Sequence, residues 1–216
     1  MIVRTVCTGA FQENCYLAAD SKSKEAFIID PGEGVDEIAE AVERDGLKPV
    51  AITNTHAHID HIAGVEALKE KYSIPFWLHK DDAFWLDEAP NAAAMFGLTF
   101  GKIPKVDRWL KPGETLECGS LRFRIGLAPG HTPGHLLFVG EGAAFVGDVL
   151  FPDSIGRTDL PGGDYATLIR SIRRELLPLP DETVVYAGHM EPTTIGKEKR
   201  TNPFILNPEA YGRVEP

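Results

Sequence analysis

The chain has 216 residues, 43% of them hydrophobic, and a formal net charge of −10 from 32 acidic and 22 basic residues. That length and apolar share suit a single domain with a full core, and the acidic balance opposes nucleic acid or an anionic membrane surface as the main partner. No stretch reaches the length of a membrane span, and the start Met1-Ile2-Val3-Arg4 lacks the charged and apolar regions of a secretory leader, so a cytoplasmic protein is expected.

Taken in order, residues 2–6, 15–19 and 26–29 are short β-prone runs ending at Asp30-Pro31-Gly32, and they read as strands of one sheet. Residues 35–44 carry Val35, Ile38, Ala39 and Val42 on one face with acids on the other, and Gly46 follows, which predicts an amphipathic helix. Residues 49–54 form the next strand. After His61, Ile62, Val65 and Leu68 recur at helical spacing as far as Tyr72, and residues 75–78 read as a buried strand. Between 80 and 110 the pattern weakens: residues 81–86 and 91–96 predict two short helices, with Gly97 and Gly101 as breaks. The aromatic and Met residues there belong to the core or to a lid over a substrate.

The second half is again rich in strands, at 115–117, 121–125, 136–139 and 143–146, separated by glycine turns. A helix over 165–177 turns Leu168, Ile169, Ile172 and Leu176 inward before Pro178, and residues 183–187 form a last strand. This alternation predicts one α/β domain over 1–216, with two sheets packed face to face and helices outside. Cys7, Cys15 and Cys118 are odd in number and fit no paired motif, so each is expected to be a buried or half-buried free thiol.

The stretch Thr55-His56-Ala57-His58-Ile59-Asp60-His61 sets three imidazoles and a carboxylate directly after an apolar strand. Left unpaired, so many buried titratable groups would be costly, and imidazole with carboxylate suits Zn, Fe, Mn or Ni. In extended chain His56 and His58 share a face and reach one point; Asp60 and His61 need a turn to reach a neighbouring one. The rival reading is a solvated loop before a helix capped by Asp60.

Three further residues follow β runs and sit beside glycine: His131 in Pro129-Gly130-His131, Asp148 in Val146-Gly147-Asp148, and His189 in Ala187-Gly188-His189. Strand ends are where a rigid scaffold aims polar groups at a shared point. Five imidazoles and two carboxylates exceed one tetrahedral ion but suit two, with Asp148 as a bridge. Asp30 and His135 are candidates for holding the ligands in orientation. His79, beside Lys80, is not expected to be a ligand.

The set His56-x-His58-x-Asp60-His61, His131, Asp148 and His189 resembles the metallo-β-lactamase superfamily. The resemblance implies a four-layer αβ/βα sandwich of two mixed sheets with the site at one sheet edge. Within that superfamily, Asn14-Cys15-Tyr16-Leu17, Asp30-Pro31-Gly32, Gly130-His131-Thr132-Pro133-Gly134-His135, Gly156-Arg157-Thr158-Asp159 and Thr193-Thr194-Ile195-Gly196 are similar to the glyoxalase II, or hydroxyacylglutathione hydrolase, family. The chain ends soon after Leu206, so it is similar to the short form without the C-terminal helical segment that holds glutathione. Met190-Glu191-Pro192 stands where the short form has Gly-Pro.

The reaction implied is hydrolysis of a small-molecule thioester such as S-lactoylglutathione by a metal-bound hydroxide. Two divalent ions serve it, Zn first and Fe or Mn as substitutes, with Asp60 and Asp148 handling protons as well as metal. The alternatives are a mononuclear Fe(II) persulfide dioxygenase on His56, His131 and Asp148, a lactonase or other metallo-hydrolase, and a binding module with a structural metal.

Overall fold

The computed structural model describes residues 1–213. Strands β1 (Ile2–Thr8), β2 (Glu13–Ala19) and β3 (Glu25–Ile29) pair antiparallel, and β4 (Lys48–Thr53), β5 (Phe76–His79) and β6 (Arg108–Leu110) add in parallel to make the first sheet, in chain order. The second sheet uses β7 (Thr115–Cys118), β8 (Leu121–Leu127), β9 (Leu136–Gly140) and β10 (Ala143–Gly147). A two-stranded ribbon, β11 (Leu150–Phe151) with β12 (Ser154–Ile155), intervenes before β13 (Val184–Ala187) and β14 (Thr193–Thr194) complete the order β14-β13-β10-β9-β8-β7. The β10–β13 pair is parallel and its neighbours antiparallel, so both sheets are mixed, as expected.

The period-2 alternation of buried strands explains the layering. All seven residues of β2 are buried. Tyr16 and Ala18 face the space between the sheets, where they meet Phe27, Phe123, Phe138 and Phe145. Cys15 and Leu17 face the other way, onto a core closed by α1 (Val35–Arg44), α3 (Val65–Tyr72) and α4 (Ala83–Met95) through Ile38, Val42, Leu68 and Leu86. In the second sheet Leu137, Ala144 and Val185 turn outward onto Leu168 of α5 (Tyr165–Ser171) and onto Ile172 and Leu176 of the wider π turn that continues it. The order of layers is helix, sheet, sheet, helix.

The structure corrects the sequence reading in several places. Residues 83–95 form one helix through Pro90 rather than two short ones, because Trp85, Leu86, Ala89 and Ala93 make a continuous buried stripe across the proline. The helix expected after His61 is split into α2 (Ile59–Ile62) and α3. At the break, the Gly64 N–H donates to Pro31 O at 3.0 Å, and a Cβ on Gly64 would lie 2.3 Å from Gly32 O. The loop after β3 is thereby seated on the start of the helical segment. The short strand β6 and the β11–β12 ribbon were not foreseen; each is only two or three residues long, below what a sequence period reveals. Cys7 is exposed, because β1 is an edge strand with one wet face, whereas Cys15 and Cys118 are buried. Among the described residues no helix is long and apolar enough to cross a membrane.

Gly64→Ala forces a methyl against backbone oxygen that has no rotamer to yield. The expected result is a loss of about 1–3 kcal/mol in urea unfolding. An unchanged midpoint would show that the 31–34 loop moves freely.

Candidate metal centre

Strands of both sheets end at one edge and deliver the polar residues there. The loop after β4 carries His56 and His58, and α2 presents Asp60 and His61. The β8–β9 connection carries His131, while Asp148 follows β10 and His189 follows β13. One donor atom each from His56, His58 and His131 falls within 4.8 Å of the others, and the same holds for Asp60, His61 and His189. Asp148 stands between the groups: Oδ1 is 3.5 Å from His61 Nε2, and Oδ2 is 3.6 Å from both His131 Nε2 and His189 Nε2. All seven residues predicted for the site are thus brought together.

Hydrogen bonds behind the rings decide which nitrogen faces inward. Thr55 Oγ1 donates to Asp30 Oδ2 at 2.6 Å, so its remaining partner, His56 Nδ1 at 3.1 Å, must carry the proton and Nε2 keeps its lone pair. His131 Nδ1 donates to Arg157 O at 2.8 Å, which frees Nε2 in the same way. That Nε2 lies 2.9 Å from His58 Nδ1. His61 Nδ1 approaches Asp30 Oδ2 at 3.3 Å as an ion-pair contact rather than a hydrogen bond, and its Nε2 lies toward Asp60 and Asp148. Among the described residues, His56 Nε2, His61 Nε2 and Asp148 Oδ1 are buried with no hydrogen-bond partner. Buried lone pairs converging without donors are what a cation would satisfy, so the residues present fit divalent metal.

The two groups differ in charge. Burial pushes His58 down to about 3 and holds His56 and His131 below the ordinary imidazole value, His56 further lowered by the imidazoles packed around it. At His61 burial also opposes the charged ring, but Asp60 and Asp148 outweigh it and hold the pKa well above the ordinary value. His189 is raised as well: burial lowers it, and the hydrogen bond to Asp60 at 3.2 Å reverses the balance. Burial would raise Asp148, yet the rings of His61, His131 and His189 hold it below the carboxylate range.

The two residues foreseen as supports sit behind the centre. Asp30 accepts from both the backbone N–H and the hydroxyl of Thr55. His135 donates from Nδ1 to Leu136 O and accepts the Asp148 N–H on Nε2 at 3.1 Å, which requires a neutral ring and fixes the Asp148 backbone. It also stacks on His56, with ring centroids 4.7 Å apart. His79 is elsewhere, accepting the Asp81 N–H, and Glu191 is exposed. Gly188 is required beside His189: a Cβ there would lie 2.2 Å from Asp148 Oδ1.

Sequence reasoning missed four supports. Asp82 is fully buried and accepts from Ala57 N, Thr132 Oγ1 and Gly134 N, tying the His56–His58 loop to the His131 loop. Burial pushes its carboxyl up to about 6 despite these donors. Asn14 donates to Ala187 O and Met190 O, and its N–H bonds Gly188 O, so the first sheet grips the His189 loop. Trp85 packs edge-on against His58, with centroids 4.5 Å apart. Glu13 is 1% exposed, holds Thr8 Oγ1 through Oε2, and brings Oε1 to 3.9 Å from His61 Nδ1. An acid opening a strand that runs apolar from Cys15 onward was the available signal for Glu13; the others lie on chain segments far from the motif.

The chain belongs to the metallo-β-lactamase superfamily, whose family model matches residues 8–189. It is 42% identical over 209 residues to the hydroxyacylglutathione hydrolase GloC of Haemophilus influenzae, covering 95% of this chain and 98% of that one. The crystal structure of the BLEG-1 B3 metallo-β-lactamase superposes with a TM-score of 0.89 at 38% identity, over 95% of this chain and all of that one. TTHA1623 in a di-iron-bound form gives 0.86 at 41% identity, over 94% and 100%. ETHE1 from Myxococcus xanthus gives 0.80 at 30% identity, over 95% and 84%.

Two outcomes follow from this geometry. Asp82→Ala strands two buried N–H groups and is expected to cost at least about 2 kcal/mol in denaturant unfolding and to lower metal content; an unchanged unfolding curve would remove Asp82 as a strut. Zn(II) titrated near neutral pH should bind the neutral His56–His58–His131 group with little proton release. The Asp60–His61–His189 group, protonated beforehand, should release protons and bind more tightly as pH rises. Calorimetry in buffers of different ionisation enthalpy reads the difference, and equal proton release for both equivalents would contradict it.

Proposed function

We propose that the chain is a metal-dependent hydrolase that cleaves a small-molecule thioester such as S-lactoylglutathione. The observation that carries this is the pairing of two convergent donor groups on one shared carboxylate, Asp148, in a chain similar over nearly its whole length to a hydroxyacylglutathione hydrolase. His56, His58 and His131 would hold one cation and Asp60, His61 and His189 the other, with Asp148 within reach of both groups. When bound, two divalent ions, Zn first and Fe or Mn in its place, lower the pKa of water and polarise an acyl carbonyl.

The remaining work falls to the protein. Thr55, Asp30 and the Arg157 carbonyl hold the imidazoles in one tautomer, so that their lone pairs need no reorganisation during reaction. Asp148, pinned by His135, and Asp60, hydrogen-bonded to His189, orient a water, and Asp60 is the carboxylate placed to take the proton it gives up. Burial of His56, His61 and His131 keeps bulk solvent from the inner face. A thiolate of pKa about 8.5 departs without a proton donor, so no residue is assigned as general acid.

The second reading is a mononuclear Fe(II) persulfide dioxygenase on the face formed by His56, His131 and Asp148. The likeness to ETHE1 supports it, and the 3.6 Å approach of His131 to Asp148 suits it. Metal quantitation with S-lactoylglutathione turnover decides between them. The expected result is close to two metals per chain and hydrolysis without oxygen uptake; one iron with oxygen consumed on glutathione persulfide overturns the first reading. Asp60→Ala should lower both metal content and kcat/KM, the latter by at least about 100-fold.

A further inference from the structure

A cavity of about 190 Å³ lies beside the metal centre and shares Asp60 with it. Four chain segments wall it, one of them the loop after β3 that carries Glu33. Phe11 comes from the β1–β2 turn, braced edge-on by Phe96 with ring centroids 5.1 Å apart; Ile59 comes from α2, and Leu98 and Phe100 follow α4. The charged residues on its wall are Glu33 and Asp60, and among the described residues no Lys, Arg or His lines it. Glu33 Oε2 accepts the Ala10 N–H at 3.2 Å, which leaves Oε1 to take a donor from a ligand.

Size and charge both discriminate here. A cavity of roughly 150 Å³ accommodates benzene, so this one holds a group of about that bulk and not a tripeptide. More of the accessible wall is polar than apolar, which suits a group that carries a hydroxyl, while the carbon surface of Phe11, Ile59, Leu98 and Phe100 gives a ring something to pack on. An entering carboxylate would meet the like charge of Glu33 with no cationic side chain to offset it.

We propose that this cavity is the acyl pocket of the hydrolase, taking a neutral, ring-sized acyl group that carries a hydroxyl for Glu33, and turning away acyl groups that end in a carboxylate. The proposal rests on the thioesterase reading and refines it: the acyl group that fills the pocket is larger than lactoyl, and the thiol carrier stays outside. Glu33 is then the residue that determines acyl charge preference.

The test uses S-mandeloyl, S-lactoyl and S-succinyl thioesters of one neutral thiol, N-acetylcysteamine, with the metal-loaded full chain. The expected order of kcat/KM is mandeloyl, lactoyl, succinyl. Leu98→Trp, which fills the cavity, should lower the mandeloyl-to-lactoyl ratio at least tenfold with metal content unchanged. Glu33→Gln, which can keep the bond to Ala10 N–H, should raise the succinyl-to-lactoyl ratio at least fivefold. Succinyl turned over as well as mandeloyl by the native protein, or ratios unmoved by both substitutions, would overturn the pocket while leaving the thioesterase intact. Failure of every thioester with the metals in place would overturn the thioesterase reading instead. The pocket is then judged by calorimetric binding of mandelamide against succinamate: preference for mandelamide supports it, and equal affinity overturns it.

Discussion

Asp148 is the constraint on which the site depends. Its two oxygens lie within 3.6 Å of imidazole nitrogens from both donor groups, so the groups are fixed relative to one another by a single side chain. That side chain is held from behind. Its backbone N–H is committed to His135, Gly188 gives it room that no Cβ would leave, and at Gly147 a Cβ would instead meet Thr55 Oγ1, behind His56, at 2.2 Å. Small errors at Asp148 would therefore disturb both groups together.

The fold supplies this precision by making two sheets end at one edge and then lacing the loops to each other. Asp82 laces the β4 loop to the β8–β9 loop, and Asn14 laces β2 to the loop after β13. The Leu136 N–H donates to Thr55 O, which joins the two sheets directly beneath His56. Each lace satisfies backbone groups that a buried loop would otherwise leave without partners. The polar network thus maintains the loops and the geometry of the rings at once.

Much of this was legible in the sequence, and the boundary of what was legible has a physical cause. The donors are densely spaced or flagged by glycine after an apolar run, so His56, His58, Asp60, His61, His131, Asp148 and His189 could all be named, and the alternation of strands gave two sheets with helices outside. Supports such as Asp82 and Asn14 could not be named, because their partners are 25 to 176 residues away along the chain and no local period reports such contacts. The continuous helix through Pro90 was hidden for the related reason that the stripe formed by Trp85, Ala89 and Ala93 gains its stability from packing on the first sheet rather than from propensity.

Charge explains why so polar a centre is tolerated inside a packed domain. Around His61 stand four carboxylates: Asp30 at 3.3 Å, Asp60 at 3.7 Å, Asp148 at 3.5 Å and Glu13 at 3.9 Å. Arg157, whose carbonyl meets His131, spends its guanidinium on Asp159 instead. Asp60 and Asp148 favour the protonated form of His61, the bond to Asp60 favours that of His189, and burial of Glu13 favours its uncharged form. Divalent cations would answer the negative charge more fully, and would do so while converting both imidazoles to the neutral form that their lone pairs require. The same carboxylates that are costly to bury side by side, Asp30, Asp60 and Asp148, would therefore be the source of affinity for a cation, while Glu13, favoured in its uncharged form, closes the far side of His61 without adding to that pull.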